Sequence, residues 1–312
     1  MRIGIDILGG DYAPEATVNG SILAFKEIHP KTILVLFGDE GKIIELCKKQ
    51  HFNASNFEIV HTTTKIGMDE YPAKAFTLKP EASIPLGFTY LEAGKIDGYA
   101  SAGNTGAMLV GAMQVVKSIP GVLRPCITAA LPKNTKTPTI LLDVGINPDC
   151  KPDVLYQYGV LGSLYAELVY GIQNPRVALF NIGTEEEKGN LLTKATYQAM
   201  KGTTDFNFIG NIEGTDLFRE DIDVIVCDGF VGNTILKTAE AFYVMFLKRK
   251  IKDDYFEKFN YENYGGTPIL GINAPAIIGH GISGPNAIKN MIIHTVSVVE
   301  AKLTEKIKKA FE

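Results

Sequence analysis

The sequence predicts an α/β fold with three layers, in which a largely parallel, doubly wound β-sheet lies between helices. Short apolar runs with the character of buried parallel strands alternate with longer helical patterns along the 312 residues. Polar, glycine-rich clusters follow most of these runs, where such sheets bind their ligands. We expect a single domain over residues 1–312, with two interlocked lobes as the other possibility at this length.

The predicted elements alternate from the first residues to the last. Strands are predicted at Arg2–Ile7, Thr32–Phe37, Phe57–Val60, Asp97–Ala100, Pro125–Ala130, Thr139–Asp143, Arg176–Asn181, Asn207–Gly210, Asp223–Cys227 and Ala276–Gly279. Helices are predicted at Glu15–Ile28, Gly41–Lys49, Ser83–Ala93, Thr105–Lys117, Asp153–Tyr170, Glu185–Met200, Val231–Lys250 and from Pro285 to the C-terminus. This alternation is typical of βαβ units, which place every carboxyl strand end at one edge of the sheet.

Composition excludes several classes of protein. Hydrophobic residues make up 46% and charged residues 21% of the chain, and no apolar run approaches the length of a membrane span. Met1–Asp6 reaches an acid too early for a signal peptide, so we expect a cytoplasmic protein. A net charge of −4 argues against bulk nucleic-acid binding. The four cysteines lie far apart, which indicates neither a disulfide framework nor a zinc site: Cys47, Cys126, Cys150 and Cys227.

The segment Ile96–Ala107 is the strongest candidate for a phosphate site. A strand pattern runs into a glycine-punctuated turn and then directly into an apolar helix. Glycines allow a ligand close to the backbone, short polar side chains add donors, and the first amides of a helix attract anions. The candidate ligands are Ser101, Gly103, Asn104, Thr105 and Gly106. An ordinary helix N-cap is the alternative.

Six further clusters follow other predicted strands. They contribute the remaining candidate phosphate- or substrate-binding residues Gly9, Gly10, Asn147, Asn181, Gly183, Gly229 and Ser283. Asn147 and Asn233, beside glycines, are suited to donate to a ligand, whereas Asp143 and Asp228 are also placed to cap the helices that follow. Glu185, Glu186 and Glu187 are expected to begin a helix, where acids complement its dipole.

Four residues are candidates for the chemistry itself: His280, Asp6, Asp11 and Asn233. His280 precedes the last helix and can donate to an oxyanion or to phosphate, with an ordinary polar loop histidine as the alternative. Asp6 and Asp11 would repel phosphate unless they orient donors, bind a cation or accept a proton, and their role stays open. Lys289 can balance phosphate charge, or it belongs to a solvated helix face.

The clusters together resemble the signature blocks of the phosphate acyltransferase (PlsX) family, collinear from Met1 to about Glu300. The blocks are Asp6–Pro14, Ser101–Ala107, Leu142–Gly145 with Asn147 and Asp149–Pro152, Asn181–Gly183, Gly210–Gly214, Val226–Asn233, and Tyr264–Pro268 with His280-Gly281. Leu8, Thr184 and Asn286 depart from the family pattern. The resemblance implies transfer of a fatty acyl group from acyl-[acyl carrier protein] to inorganic phosphate, at the entry to bacterial phospholipid synthesis.

The resemblance also implies a fold similar to isocitrate and isopropylmalate dehydrogenases, a homodimer, and acyl carrier protein and phosphate as partners, without a cofactor or metal. In many relatives a helical hairpin supports dimer and membrane contacts, and here the corresponding segment, about 231–264, is short after Ala239. Any membrane contact and hand-over to a membrane glycerol-3-phosphate acyltransferase is therefore expected to be weak. The chemistry agrees, because phosphate is already a nucleophile and a thiolate leaves without strong acid assistance.

Two other classes of function were weighed. A metal- and NAD-dependent decarboxylating dehydrogenase of related fold would need arginines for substrate carboxylates, and the chain has only Arg2, Arg124, Arg176, Arg219 and Arg249. A non-catalytic carrier-protein or membrane scaffold would fit the basic run Lys248–Lys252 and its aromatic neighbours. A scaffold would not require seven polar strand ends.

Overall fold

The computed structural model describes the backbone of residues 1–312 and every side chain except that of Tyr261. The strands are β1 Arg2–Asp6, β2 Ile33–Gly38, β3 Glu58–His61, β4 Gly98–Ser101, β5 Cys126–Leu131, β6 Thr139–Leu142, β7 Arg176–Phe180, β8 Asn207–Ile212, β9 Val224–Val226, β10 Thr267–Leu270 and β11 Ala276–Ile278. The helices are α1 Glu15–Phe25, α2 Glu40–Lys49, α3 Pro72–Leu78, α4 Ser83–Glu92, α5 Thr105–Gly111, α6 Pro152–Tyr170, α7 Leu191–Met200, α8 Gly229–Lys248, α9 Pro285–Glu300 and α10 Leu303–Ala310.

The chain divides into two compact units. Unit 1 contains Met1–Ser118 and Tyr261–Glu300, and unit 2 contains Ile119–Asn260 and Ala301–Glu312. Each unit is a mostly parallel sheet with helices packed on it. The predicted α/β class with a largely parallel sheet is confirmed.

In unit 1 the strands lie in the order β3-β2-β1-β4-β11-β10. All neighbours are parallel except β10 and β11. The carboxyl ends of β1, β4 and β11 are therefore adjacent at one edge. An aromatic cluster supports this sheet: the ring of Tyr99 packs edge-on against Phe37 and Phe88, and its hydroxyl donates to the carbonyl of Ser83 over 2.9 Å.

In unit 2 the order is β5-β6-β9-β7-β8, and only β5 and β6 are antiparallel. Its central strands are continuous apolar runs buried on both faces, as expected for parallel strands covered by helices. Leu141, Ala178 and Ile225 form the middle of this core. The carboxyl ends of β6, β9, β7 and β8 share one edge.

All ten predicted strands exist, with bounds that shift by one or two residues, and β10 was missed. The predicted helix at Glu185–Met200 is wrong over its first six residues, because Gly189 has a φ of +97° and the helix begins only after Asn190. The predicted C-terminal helix is two helices, separated at Lys302, whose φ is +51°. The helix predicted at Thr105–Lys117 ends as α5 at Gly111 and continues as a π-helical turn, Ala112–Val116.

Candidate functional site

Asp6, the last residue of β1, is the centre of the candidate site in unit 1. One carboxylate oxygen accepts from the amides of Leu8 and Gly9, at 3.0 and 3.1 Å. The other accepts from the hydroxyl of Ser101, at the end of β4, over 2.6 Å. The Ser101 oxygen in turn accepts from the amide of Gly103 over 2.9 Å. These bonds fasten the loop after β1 to the loop after β4.

The two loops touch through glycine backbone. A Cβ on Gly9 would lie 2.7 Å from the nitrogen of Gly103, a separation that real Cβ atoms do not show. Gly10 has a φ of +109°, which side-chain-bearing residues rarely adopt. Gly9 and Gly103 therefore lack side chains because the protein backbone itself is close at these positions, and the predicted contacts of Gly9, Gly10 and Gly103 with a ligand stay predictions.

The helix α5 begins directly after this contact. Asn104 is its N-cap, and its side-chain oxygen accepts from the amide of Ala107 over 3.0 Å. The amides of Thr105 and Gly106 lie in the first turn, where the helix itself offers no acceptor. Thr105 is exposed to solvent. Its hydroxyl and these first-turn amides are donors at the positive end of the helix dipole.

Asn104 also has a task that the sequence did not reveal. Its side-chain nitrogen donates to the carbonyls of Gly67, Met68 and Glu70, at 2.9, 3.4 and 3.2 Å. Both ends of the side chain are therefore engaged within the protein. Asn104 holds a neighbouring loop against α5, and its predicted contact with phosphate stays a prediction.

The loop after β11 reaches the same edge. The amide of Asp11 donates to the carbonyl of Gly281 over 2.7 Å, so the loops after β1 and β11 are joined. The Asp11 carboxylate is exposed and lies 3.9 Å from the position that a Cβ on Gly281 would occupy. His280 is half-buried, and its carbonyl accepts from the amide of the buried Ser283 over 3.0 Å. Structure thus brings Asp6, Asp11, His280 and the Ser101–Gly106 turn together by way of three loops.

A further pattern in this loop was missed from the sequence. Residues 279–284 read Gly-His-Gly-Ile-Ser-Gly between a strand and a helix, the spacing of a dinucleotide-binding fingerprint. Its surroundings are filled, since added Cβ atoms would meet the sulfur of Met291 at Gly279 and the methyl of Met68 at Gly281. Helix α9 begins with Pro285, which has no amide proton to offer an anion.

Lys289 has a partner other than the strand ends. Its ammonium group pairs with the carboxylate of Glu27 over 3.0 Å, where Glu27 follows the far end of α1. The predicted balancing of phosphate charge by Lys289 would require this ion pair to open. The next residue, Asn290, donates to the carbonyl of Glu262 over 2.7 Å.

Unit 2 contains a second buried carboxylate, Asp143, directly after β6. One of its oxygens accepts from the amide of Ile127 over 3.1 Å. The other accepts from the amides of Ile146 and Asn147, at 3.1 and 2.6 Å, and from the side-chain nitrogen of Asn147 at 3.1 Å. Asp143 therefore holds its own loop rather than capping a helix. Asp228, in contrast, is the N-cap of α8 and accepts from the amide of Val231 over 2.9 Å.

The asparagines predicted as ligand donors in unit 2 differ in exposure and in the hydrogen bonds that their side chains make. The side-chain nitrogen of Asn147 also donates to the carbonyl of Pro125 over 2.8 Å, and its backbone carbonyl accepts from the amide of Gly229. Asn181 holds the loop that follows it, by donating to the carbonyl of Lys188 over 3.1 Å. Asn233 is exposed near the start of α8.

Two buried glycines complete the predicted residues of unit 2. A Cβ on Gly183 would lie 2.9 Å from a carboxylate oxygen of Glu185. A Cβ on Gly229 would lie 2.8 Å from Asp143 Oδ2. At Gly229 the lack of a side chain serves packing against buried groups, whereas at Gly183 the near atoms belong to exposed side chains that can move; contact with substrate stays a prediction for both.

The titrating groups behave as buried structural groups. Burial raises the pKa of Asp6 above its usual value, and the hydrogen bonds from Ser101, Leu8 and Gly9 oppose that rise. Burial likewise raises the pKa of Asp143, against its four hydrogen bonds. The pKa of the Cys150 thiol is raised by burial to about 11, so it is a poor nucleophile at neutral pH. Burial also holds the pKa of Cys126 and Cys227 well above the usual thiol value.

Two open cavities in unit 2 lie apart from the strand ends that carry these clusters. One, of about 550 Å³, is lined by Lys133, Arg176, Asn207 and Asp223 near the amino ends of the strands. Another, of about 630 Å³, lies between α6 and α7. Among the side chains that the structure describes, no group of three His, Cys, Asp or Glu is arranged to hold a metal ion. No helix in the described part of the chain has both the length and the apolar character for a membrane crossing.

Comparison with known proteins agrees with this fold. The sequence model of the family described as fatty acid synthesis protein matches residues 1–306. The phosphate acyltransferase of Dictyoglomus turgidum is 41% identical over 98% of this chain and 96% of its own length. That of Aquifex aeolicus is 43% identical over 94% of this chain and 91% of its own. A phosphotransacetylase from Streptococcus pyogenes shares the fold, with a TM-score of 0.71 at 17% identity over 96% of this chain and 94% of its own.

The α/β fold and these relatives define an acyltransferase. The chain belongs to the fatty acid synthesis protein family, whose members at about 40% identity are phosphate acyltransferases. The resemblance expected from the signature blocks is thereby confirmed.

Proposed function

We propose that this chain transfers a fatty acyl group from acyl-[acyl carrier protein] to inorganic phosphate, yielding acyl phosphate and holo-carrier protein for phospholipid synthesis. One observation carries the proposal. Three adjacent strand ends of unit 1 converge on the first-turn donors of α5, beside an exposed carboxylate and a histidine. The family relationship supports the same reaction.

In this proposal phosphate binds at the start of α5, against the amides of Thr105 and Gly106 and the Thr105 hydroxyl. A helix N-terminus attracts an anion both through its unpaired amides and through its dipole. Asp6 is a positioning residue, because its carboxylate is buried and spent on three hydrogen bonds. It keeps the loops in place without facing the ligand.

The reaction forms one bond and breaks one. A phosphate oxygen attacks the thioester carbonyl carbon, and the carbonyl oxygen takes up the negative charge. Collapse of this tetrahedral intermediate breaks the carbon–sulfur bond, and the departing thiolate takes up the proton that phosphate loses. Asp11, which is exposed, accepts the proton from monohydrogen phosphate, and His280 donates to the oxyanion. Asn233 stays a candidate donor to the substrate.

The proposal is tested by incubating the purified protein with an acyl carrier thioester and phosphate. We expect free carrier thiol and hydroxylamine-reactive acyl phosphate to appear in equal amounts, and only when phosphate is present. The His280→Ala variant should lower kcat by about 10²–10³, the usual loss for one oxyanion donor. Thioester cleavage independent of phosphate would refute the proposal, as would oxidation of a hydroxy acid with NAD. A rise in KM alone would make His280 a binding residue.

We further propose that the protein is a homodimer through α8. The buried residues of this 20-residue helix are the glycines of its first turn. Five large apolar side chains along it are exposed: Phe230, Phe242, Val244, Met245 and Leu247. A second copy would cover more than one face of such a helix, and the segment around 231–264 would be the contact.

The exposed basic run at the end of α8 is proposed to attract the acidic carrier protein. It consists of Lys248, Arg249, Lys250 and Lys252. Opposite charges steer association over long range at low salt, and anionic lipid would respond to the same charges more weakly. The protein is then cytoplasmic with at most peripheral membrane contact. Changing all four to Glu should raise KM for the carrier substrate steeply at low salt. Unchanged kinetics together with lost binding to anionic liposomes would reassign the run to membrane docking.

A further inference from the structure

The loop Gly67–Tyr71, between β3 and α3, is held firmly beside the candidate site. Asn104 donates to three of its carbonyls. Within the loop, Glu70 accepts from the amide of Gly67 over 2.7 Å, and Lys79 pairs with the same carboxylate over 2.7 Å. Its backbone polar groups are thus satisfied by side chains that fix its position.

The same loop exposes apolar surface. Met68 is 49% exposed and Tyr71 is 74% exposed, although both belong to a well-anchored segment. A loop that only closed the structure would be expected to turn such side chains inward, since covering apolar area is favourable. Tyr12, which follows Asp11 in the loop after β1, is also largely exposed.

This apolar surface borders the reacting groups. The methyl of Met68 lies 2.9 Å from the position that a Cβ on Gly281 would occupy. The Asp11 carboxylate lies 3.9 Å from that same position. Next along α3, Pro72 packs on Gly106 in the first turn of α5. Met68 therefore lies beside the loops that carry Asp11 and His280, and Tyr71 directly precedes the residue that packs on the start of α5.

We propose that Met68 and Tyr71 contact the acyl chain of the donor beyond about its fourth carbon from the thioester, and so favour long acyl groups over short ones. This inference rests on the proposed acyl transfer. A thioester whose carbonyl faces phosphate at α5 must lead its hydrocarbon chain away from a polar site. Met68 and Tyr71 offer apolar surface at that point, and a methionine adapts to a flexible chain.

The test compares acyl donors of different length. Met68→Gln keeps the length of the side chain but removes its apolar character, and Met113→Gln is the matched control, since Met113 is 45% exposed in the same unit. Wild type, both variants and Met68→Leu are assayed with butanoyl, octanoyl and hexadecanoyl carrier thioesters. Covering half of a methionine corresponds to about a fivefold change in kcat/KM.

We expect Met68→Gln to lower kcat/KM about fivefold for octanoyl and hexadecanoyl donors and to leave the butanoyl donor nearly unchanged. Met68→Leu and Met113→Gln should keep the wild-type profile. An equal loss for all three donors, or the same loss in Met113→Gln, would overturn the inference. So would a change of oligomeric state in Met68→Gln, which would make this surface an interface between copies. If wild type transfers no acyl group to phosphate, the proposed function fails instead.

Discussion

Asp6 and Asp143 are buried carboxylates that accept similar hydrogen bonds, but they hold different parts of the structure in the two units. Each ends a parallel strand, is buried, and accepts hydrogen bonds from the loop that follows it. In unit 1 the carboxylate draws two loops together, and the helix that begins there, α5, has a neutral N-cap and, among the described side chains, no carboxylate on its first-turn amides. In unit 2 the carboxylate ties β5 to its own loop, and α8 is closed by the carboxylate of Asp228.

The difference indicates why we place phosphate in unit 1. An anion is attracted to helix amides that no side-chain carboxylate occupies, and repelled where one already does. At α5 the cap is the neutral Asn104, whereas at α8 it is the acidic Asp228. The nature of the cap, rather than the number of glycines, separates the two strand edges.

The largest expected effect comes from replacing the two aspartates by asparagine. At Asp143 both oxygens accept from N–H groups, so either orientation of the introduced side-chain amide sets N–H against N–H. We expect Asp143→Asn to lower the free energy of unfolding by about 3 kcal/mol. At Asp6 an amide nitrogen can donate to the Ser101 oxygen, so Asp6→Asn should cost less than about 1 kcal/mol. Unfolding in urea gives the free energy of unfolding of each variant. Equal losses in Asp6→Asn and Asp143→Asn would contradict the proposed difference between the two carboxylates.

The next effect is a pH dependence that comes from Asp223 in unit 2. Burial opposes ionisation of Asp223, but hydrogen bonds from Arg176 and Lys133 outweigh it and lower its pKa to about 2. A carboxyl with a depressed pKa stabilises the fold above its unfolded value, near 4, and loses that contribution as the pH falls towards 2. About 2 kcal/mol should be lost in this window. Acid unfolding of wild type and Asp223→Asn measures it, and parallel curves between pH 4 and 2 would refute it.

A smaller effect is expected at the cap of α8. Asp228→Ala removes the acceptor for the Val231 amide and should lower stability by about 1 kcal/mol. Asp228→Asn keeps an acceptor and should change stability by only a few tenths of a kcal/mol. Thermal unfolding compares the two variants. Equal losses in Asp228→Asn and Asp228→Ala would show that the charge, which both variants remove, matters there and not the capping hydrogen bond.

The strands were predictable because buried parallel strands have short, continuous apolar sequences. The elements that were missed or wrongly bounded depend on single residues and their tertiary contacts. Asn181 donates to the carbonyl of Lys188 and holds an acid-rich loop where a helix was expected. Helix α3 was missed although Pro72 stands at its first position, a recognised start signal.

In the candidate site the loops were predictable and the direction of the side chains was not. Glycine and polar clusters follow the carboxyl ends of strands in both units, as predicted. Asn104, Asn147 and Asn181 were expected to bind a ligand, a prediction that stays open, and the sequence did not show that each donates to a main-chain carbonyl of its own or another loop. An asparagine beside a glycine carries the same sequence signal in either role. Whether distant segments bury the asparagine side chain decides which of the two roles it has.

The central claim is that phosphate binds at the start of α5. Thr105→Glu tests it most directly, because an acid in the first turn suits the helix dipole but repels a bound anion. Thr89→Glu, exposed on α4 of the same unit, is the control with an equal change of charge. The measurement is the thermal midpoint as phosphate is raised. A ligand at 100 times its Kd adds about 2.7 kcal/mol to stability.

We predict that the midpoint rises with phosphate in wild type and in Thr89→Glu. In Thr105→Glu it should stay flat, at a starting value equal to or above that of wild type. A full phosphate response in Thr105→Glu would contradict the account, and so would an unchanged midpoint in wild type across millimolar phosphate.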